Sequence, residues 1–201
     1  MTLLDKYYER YQTTSDINQH LPILLAYAKQ CVTVTECGVR TPTSAYAFAA
    51  GLKGTPGNFY RMIDIEKSKL IEPFIKECEE EGVSTNFVES SDLECERIPT
   101  DLLFIDTWHI YGHLKRELEY WHEYAKKFII LHDTTVDEHY GETIRMNLDH
   151  VQQSKTTGIP VEEILKGLGP AVTEFIEKHP EWIVDLKLTN NNGLTILKRQ
   201  L

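Results

Sequence analysis

Short, nearly unbroken apolar runs alternate along this chain with stretches whose apolar residues recur every three or four positions. Residues 18–30, NQHLPILLAYAKQ, have helical spacing and lead into the β-rich CVTVTECG. A Thr-Ser turn opens SAYAFAAGL, an Ala-rich helix closing near Gly51 and Gly54. NFYRMIDI then reads as a buried strand, SKLIEPFIKECEEEG as a helix, VSTNFVES as a third strand and TDLLFID as a fourth. GHLKRELEYWHEYAKK predicts another helix and FIILHD a fifth strand. Beyond Asp133 a polar stretch gives way to a helix within VEEILKGLGPAVTEFIEKH, and the chain finishes in WIVDLKLTNNNGLTILKRQL.

Strands alternating with amphipathic helices predict a parallel sheet covered on both faces. Asn-Asn-Gly between two apolar stretches predicts a hairpin, because such a turn needs positive φ. The expected fold is therefore α/β: one Rossmann-like domain with a mostly parallel seven-stranded sheet and a C-terminal antiparallel hairpin. It divides into an N-terminal helical segment (1–30), a cofactor-binding core (31–135), a candidate acceptor loop (136–160) and a terminal helix with hairpin (161–201). At 201 residues the length suits one domain.

Charge and cysteine usage narrow the partners. With 21 Lys+Arg against 31 Asp+Glu the net charge is −10, which lacks the positive field that binding to nucleic-acid phosphates needs. No apolar run approaches the roughly 20 residues that span a bilayer, and MTLLDKYYERYQ lacks the apolar stretch of a secretory signal. The four scattered cysteines form no CxxC pair and read as buried free thiols. The expectation is a cytoplasmic protein with neither nucleic acid nor membrane as partner.

Ligands of open α/β sheets bind beyond the carboxyl ends of the strands. At the first such end, Glu36-Cys37-Gly38 precedes Thr43-Ser44, with one glycine for close backbone approach and hydroxyls able to cap the next helix. The loop lacks the further glycines of a dinucleotide fingerprint, which argues against an NAD-dependent oxidoreductase. Asp64, ending the second strand, can accept from two ribose hydroxyls or cap a helix. Ser91 and Asp92 end the third strand. After the fourth, Asp106 is followed by Trp108, able to stack on a base or to close the core, and His109, able to take a proton near neutral pH. Asp133 ends the fifth strand, and with Asp106 it could share Mg²⁺ or Mn²⁺. Strand alternation turns its neighbour His132 to the opposite side. The spacing His109-x-x-x-His113 lacks the third ligand of a zinc site. The stretch DEHYGETIR (137–145) is too polar for a core and reads as a lid, an acceptor loop or a solvated connection.

VTECGVRTPTSAYAF, RMIDI, NFVESSDLE and the terminal WIVDLKL-TNNN-GLTILKR resemble, from end to end, class I S-adenosylmethionine-dependent methyltransferases. Within that fold, DLLFIDTWHIYGHLKRELEYW…KKFIILHDTT is similar to the cephalosporin-hydroxylase-like and sugar O-methyltransferase group. That resemblance implies a hydroxyl of a small-molecule sugar or glycan as acceptor, and a domain of a larger glycan-synthesis polypeptide of the chlorella-virus type. The Asp-x-Trp segment followed by Asp-Thr also resembles metal-dependent catechol-type O-methyltransferases. This implies Asp106, Asp133 and Thr134 as metal ligands, His109 as the catalytic base, Asp106 as catalytic through the metal it holds, and Trp108 against the cofactor. Glu36, Gly38, Thr43, Ser44, Asp64, Ser91, Asp92 and Asp106 would join Trp108 in binding S-adenosylmethionine. Thr134 stands where those enzymes carry an amide, and Cys37 is unusual in their first motif. A non-catalytic module retaining the cofactor fold is the alternative.

Overall fold

A computed structural model describes residues 1–200, so Leu201, the last residue of the expected terminal segment, lies outside it. Seven strands form one sheet in the order β3-β2-β1-β4-β5-β7-β6: β1 (Thr33–Cys37), β2 (Phe59–Asp64), β3 (Thr85–Glu89), β4 (Thr100–Ile105), β5 (Ala125–His132), β6 (Trp182–Leu188) and β7 (Leu194–Arg199). The first five run parallel, while β7 inserts antiparallel between β5 and β6. The hairpin turn carries Asn191, Asn192 and Gly193 at φ 47°, 70° and 101°, the backbone that the Asn-Asn-Gly signal requires.

Both faces of the sheet are covered. On one, α1 (Leu3–Gln12), α2 (Leu21–Ala28) and α3 (Ser44–Leu52) meet alternate residues such as Val34, Tyr60, Leu102, Phe104 and Ile130. On the other, α5 (Tyr111–Trp121) and α9 (Leu168–Lys178) meet Ile63, Leu103, Ile105, Ile129 and Leu131. The helix α4 (Ile71–Glu80) buries Ile71, Phe74 and Cys78 from its apolar stripe. Period-two alternation between these clusters is the signature of strands buried on both sides. All four cysteines are free and buried. Among the described residues, no helix is long and apolar enough to cross a membrane.

Two boundaries differ from expectation. Residues 125–127 begin β5 instead of closing α5, since Thr100 pairs with Ala125 and draws the strand back towards the helix. The single helix expected over 161–179 is two, α8 (Val161–Leu165) and α9, broken at Lys166-Gly167. Lys166 forms a bridge with Tyr140 there, and a side chain at Gly167 would collide with the carbonyl oxygen of Asp137. Two further helices, α6 (Glu142–Arg145) and α7 (His150–Thr157), lie within the polar stretch.

Candidate active site

The carboxyl ends of β1, β2 and β4 are laced together by one turn. Gly38 leaves β1 at φ 82° and donates to the carbonyl of Ile63 at 2.9 Å, while the amide of Asp106 donates to the carbonyl of Cys37 at 2.9 Å. A Cβ at position 38 would overlap the carbonyl oxygen of Asp106. The next two amides, of Val39 and Arg40, both donate to Oδ2 of Asp64, at 2.8 and 2.7 Å. Arg40 takes φ 46° to make that bond possible.

Glu36 lies beneath this turn rather than in the cavity. It is fully buried, and Ser44 Oγ and Tyr60 OH both donate to its carboxyl group. Burial raises its pKa to about 8, and the charges of Asp106 and Asp64 add to the shift. The expected cofactor contact is thus a strut joining β1, α3 and β2. Ser44 does line the cavity with Thr43, but neither caps α3: Thr43 makes no capping bond, and the Ser44 hydroxyl goes to Glu36.

A cavity of about 410 Å³ opens above these strand ends. Gly38, Thr43, Ser44, Asp64, Ser91, Asp92, Asp106, Trp108, His109 and Asp133 all line it, as does Asp16 from the N-terminal segment. Trp108 backs onto the small cluster of Ile110, Ile159 and Ile164, and its ring centroid lies 6.1 Å from that of His113. Asp92 Oδ1 is 3.4 Å from His113 Nε2. Burial opposes the charge on Asp92, but His113 outweighs it and holds the pKa below the ordinary value. Buried Glu117 behaves oppositely: desolvation and the neighbouring Asp92 push its pKa well up, while Thr107 donates to it at 2.6 Å. His109 and His113 therefore serve separate carboxylate groups rather than one zinc ion.

The ends of β4 and β5 form an acidic mouth threaded by two imidazoles. His109 Nε2 is 3.2 Å from both Asp106 Oδ1 and Asp133 Oδ2, and its Nδ1 is 2.8 Å from Glu142 Oε2. Burial alone would lower the His109 pKa; Asp106, Glu142 and Asp133 reverse this and hold it well above the ordinary value. Burial likewise works against charge on Asp106, yet His132 and His109 hold its pKa far down. His132 Nδ1 lies 3.2 Å from Asp106 Oδ1, so it faces the site rather than the opposite side. Alternation fails because Asp133, at φ 56°, leaves the strand and folds its carboxylate back, to 3.4 Å from the same nitrogen. Burial is overcome again at His132, whose pKa Asp106 and Asp133 raise to about 10. His132 Nε2 is 3.3 Å from the carbonyl oxygen of Asn191 in the β6–β7 turn. Behind it, His20 meets the His132 ring edge-on at 5.5 Å, and burial with that neighbour lowers its pKa to about 4.

Thr134 is not at the mouth. Its hydroxyl accepts from Thr195 at 2.9 Å, and its side chain lines a separate depression beside β6 and α9, so it does not complete a ligand set with Asp106 and Asp133. Two residues that the sequence left in an undifferentiated polar stretch come in instead. Glu142, at the start of α6, lines the cavity; Asp137 is fully buried, 3.6 Å from His109, and accepts from Arg145 at 2.8 and 2.7 Å. The acid density of DEHYGETIR was the available signal. His132 and Glu117 had no comparable one, since each occupies an otherwise ordinary strand or helix position.

The donor set at the mouth fits a divalent cation. Ligand atoms of Asp106, His109 and Asp133 lie within 4.8 Å of one another, and Oδ1 of Asp133 is buried without a hydrogen-bond partner. Two carboxylates with an imidazole suit Mn²⁺ at least as well as Mg²⁺.

No family model matches the chain, and no curated protein does. Solved structures do. The S-adenosylhomocysteine-bound methyltransferase PaMTH1 of Podospora anserina superposes with a TM-score of 0.60 at 16% identity, over 99% of this chain and 88% of that one. An O-methyltransferase of Bacillus cereus in complex with S-adenosylhomocysteine gives 0.59 at 14%, over 98% and 91%. TomG of Streptomyces achromogenes, an O-methyltransferase involved in tomaymycin synthesis and solved with S-adenosylmethionine, gives 0.58 at 13%, over 99% and 90%. The chain has the class I methyltransferase fold.

Proposed function

We propose that this protein is an S-adenosylmethionine-dependent O-methyltransferase. The observation that carries the reading is the juxtaposition of a glycine turn, tied to Asp64, with a carboxylate–imidazole mouth along one cavity. Neighbours of the same fold were solved with this cofactor or its demethylated product. The cofactor brings a methyl group on a sulfonium centre. Asp64 Oδ2 is held by the loop, and Oδ1, which accepts from the Glu66 amide at 3.3 Å, would take the ribose hydroxyls on its remaining lone pair. Gly38 lets the cofactor approach the backbone, and Trp108, Ser91 and Asp92 flank the base.

Transfer to oxygen is an in-line displacement, so the protein must fix the acceptor hydroxyl against the methyl group and see its proton removed. His109, Asp106 and Asp133 stand together at that place, with Glu142 behind His109. Asp106 and Asp133 would hold a divalent cation, whose contribution is to make a bound hydroxyl more acidic. Acids around the mouth, Asp16, Asp64 and Glu142, favour a neutral acceptor rich in hydroxyls, such as a sugar, over a phosphorylated one.

Calorimetric titration with S-adenosylhomocysteine tests the cofactor assignment, and transfer of labelled methyl groups to a panel of sugars and catechols, with Mn²⁺ or EDTA, tests the acceptor. We expect binding, and transfer to sugars that Mn²⁺ stimulates. Absence of binding sinks the methyltransferase reading and leaves a fold retained without catalysis; transfer to catechols alone sinks only the sugar.

A further inference from the structure

The C-terminal ends of α5 and α9 converge away from the cavity, and each is closed by a histidine. His122 follows α5 and donates its amide to Leu118 at 3.0 Å; His179 follows α9 and donates to Phe175 at 2.8 Å. The two rings lie 4.1 Å apart between centroids. Glu119, one turn before His122 on α5, places Oε1 3.4 Å from Nε2 of His179. Ligand atoms of Glu119, His122 and His179 all lie within 4.8 Å of one another. We propose that these three residues form a binding site for a transition-metal ion of the Zn²⁺ class, separate from the acidic mouth.

Four features support that assignment. Two imidazoles and one carboxylate are a donor set that Zn²⁺ favours, leaving one tetrahedral position for water. Two helix C-termini meet there, and their exposed carbonyls make the place electronegative. Glu181 sits 3.6 Å from Nδ1 of His179, on the side of the ring away from Glu119. A metal on Nε2 would leave the Nδ1 proton facing that carboxylate, the outer-shell arrangement of metal-bound histidines. Finally, Nδ1 of His122 is buried with no hydrogen-bond partner. Phe175 packs edge-on against His122 at 5.8 Å and tilted against His179 at 4.7 Å, which restrains both rings.

In the metal-free arrangement, Lys178 supplies the positive charge: its ammonium donates to Oε1 of Glu119 at 2.7 Å. Lys178 is largely exposed, so an entering cation can displace it into solvent. The ion would clamp α5 to α9 across the chain and so stabilise that face of the sheet.

The test is calorimetric titration of EDTA-treated protein with ZnCl₂, with melting temperature followed in parallel and Co²⁺ substituted to read coordination from its visible bands. The expected result is a site, additional to any at the mouth, that raises the melting temperature. Its affinity should fall about tenfold or more in His122→Gln and in His179→Gln, and rise in Lys178→Gln. An Asp106→Asn, Asp133→Asn double variant should retain it, which separates it from the mouth. Loss in that double variant with the histidine variants unaffected would overturn the proposal, as would the absence of zinc binding in protein that melts cooperatively.

Discussion

The carboxylate of Asp64 accepts a hydrogen bond from the backbone amide of Arg40 at 2.7 Å. A side chain ending β2 thereby fixes the turn that leaves β1, while its other oxygen, accepting from the Glu66 amide at 3.3 Å, keeps a lone pair for a ligand. Asp64→Ala is expected to weaken S-adenosylhomocysteine binding about tenfold or more, since hydrogen bonds to a charged group are worth about 1.5–3 kcal/mol. Asp64→Asn, which can still accept at one oxygen, should lose less. Calorimetry on both checks this, and equal affinity in wild type and Asp64→Ala would refute the assignment.

At Gly38 the constraint is steric. Alanine there meets the Asp106 carbonyl and must also adopt φ 82°. Gly38→Ala should cost about 2 kcal/mol or more in urea unfolding and abolish cofactor binding. Full stability would mean that the turn can relax.

Glu36 gives stability a pH dependence of definite sign. Folded, its pKa is about 8 against an ordinary 4.5, so between those values the unfolded chain has released a proton that the folded chain retains. Its contribution is complete below about pH 4.5 and is lost as pH rises through 8. Glu36→Gln should flatten the fall in unfolding free energy between pH 5.5 and 8.5. An unchanged slope in urea titrations would show that Glu36 is ionised throughout.

Asp137 is fully buried, and the structure pairs it with Arg145 through two bonds. Arg145→Met removes both hydrogen bonds from that carboxylate, leaving only His109 at 3.6 Å, and should cost about 2 kcal/mol, less than a fully buried pair because Arg145 is 39% exposed. The double variant Asp137→Asn, Arg145→Met should recover part of the loss. Unfolding free energies for the two variants decide the matter.

Removing Oδ1 and Oδ2 charge at the mouth should show directly in metal affinity. Asp133→Asn is expected to weaken Mn²⁺ binding about tenfold or more, read by electron paramagnetic resonance of the free ion. Thr134→Ala should leave it unchanged, because the Thr134 hydroxyl is bonded to Thr195.

The sheet was legible because its information is local: apolar runs for β1 to β5, and positive-φ residues for the β6–β7 turn. The acids at the strand ends were legible for the same reason, as a residue closing a parallel strand stands at the mouth whatever follows. What escaped depends on single backbone angles and long-range contacts. The φ of Asp133 decides where its own carboxylate goes, back onto the His132 side, and no periodicity encodes it. Thr134 was misplaced by the same bend. The burial of Asp137 is not legible in a stretch that reads equally as lid, acceptor loop or solvated connection, because it depends on Arg145 and on the chain around Gly167, which packs against its carbonyl. Glu36 stood at a strand end as expected, but Tyr60 on the neighbouring strand draws it under the turn.

The β6–β7 turn has a consequence for how the mouth comes into being during synthesis. Asn191 faces His132 from 59 residues later in the chain, and through its side chain it also accepts from the Gln19 amide and donates to the Ser15 carbonyl. A nascent chain can pair β1 to β5 as each leaves the ribosome, yet His132 keeps one nitrogen unanswered until this asparagine has been translated. Completion of the mouth therefore waits for the last strand: a chain ending before Asn191 lacks β7 as well, and holds β1 to β5 with His132 unanswered.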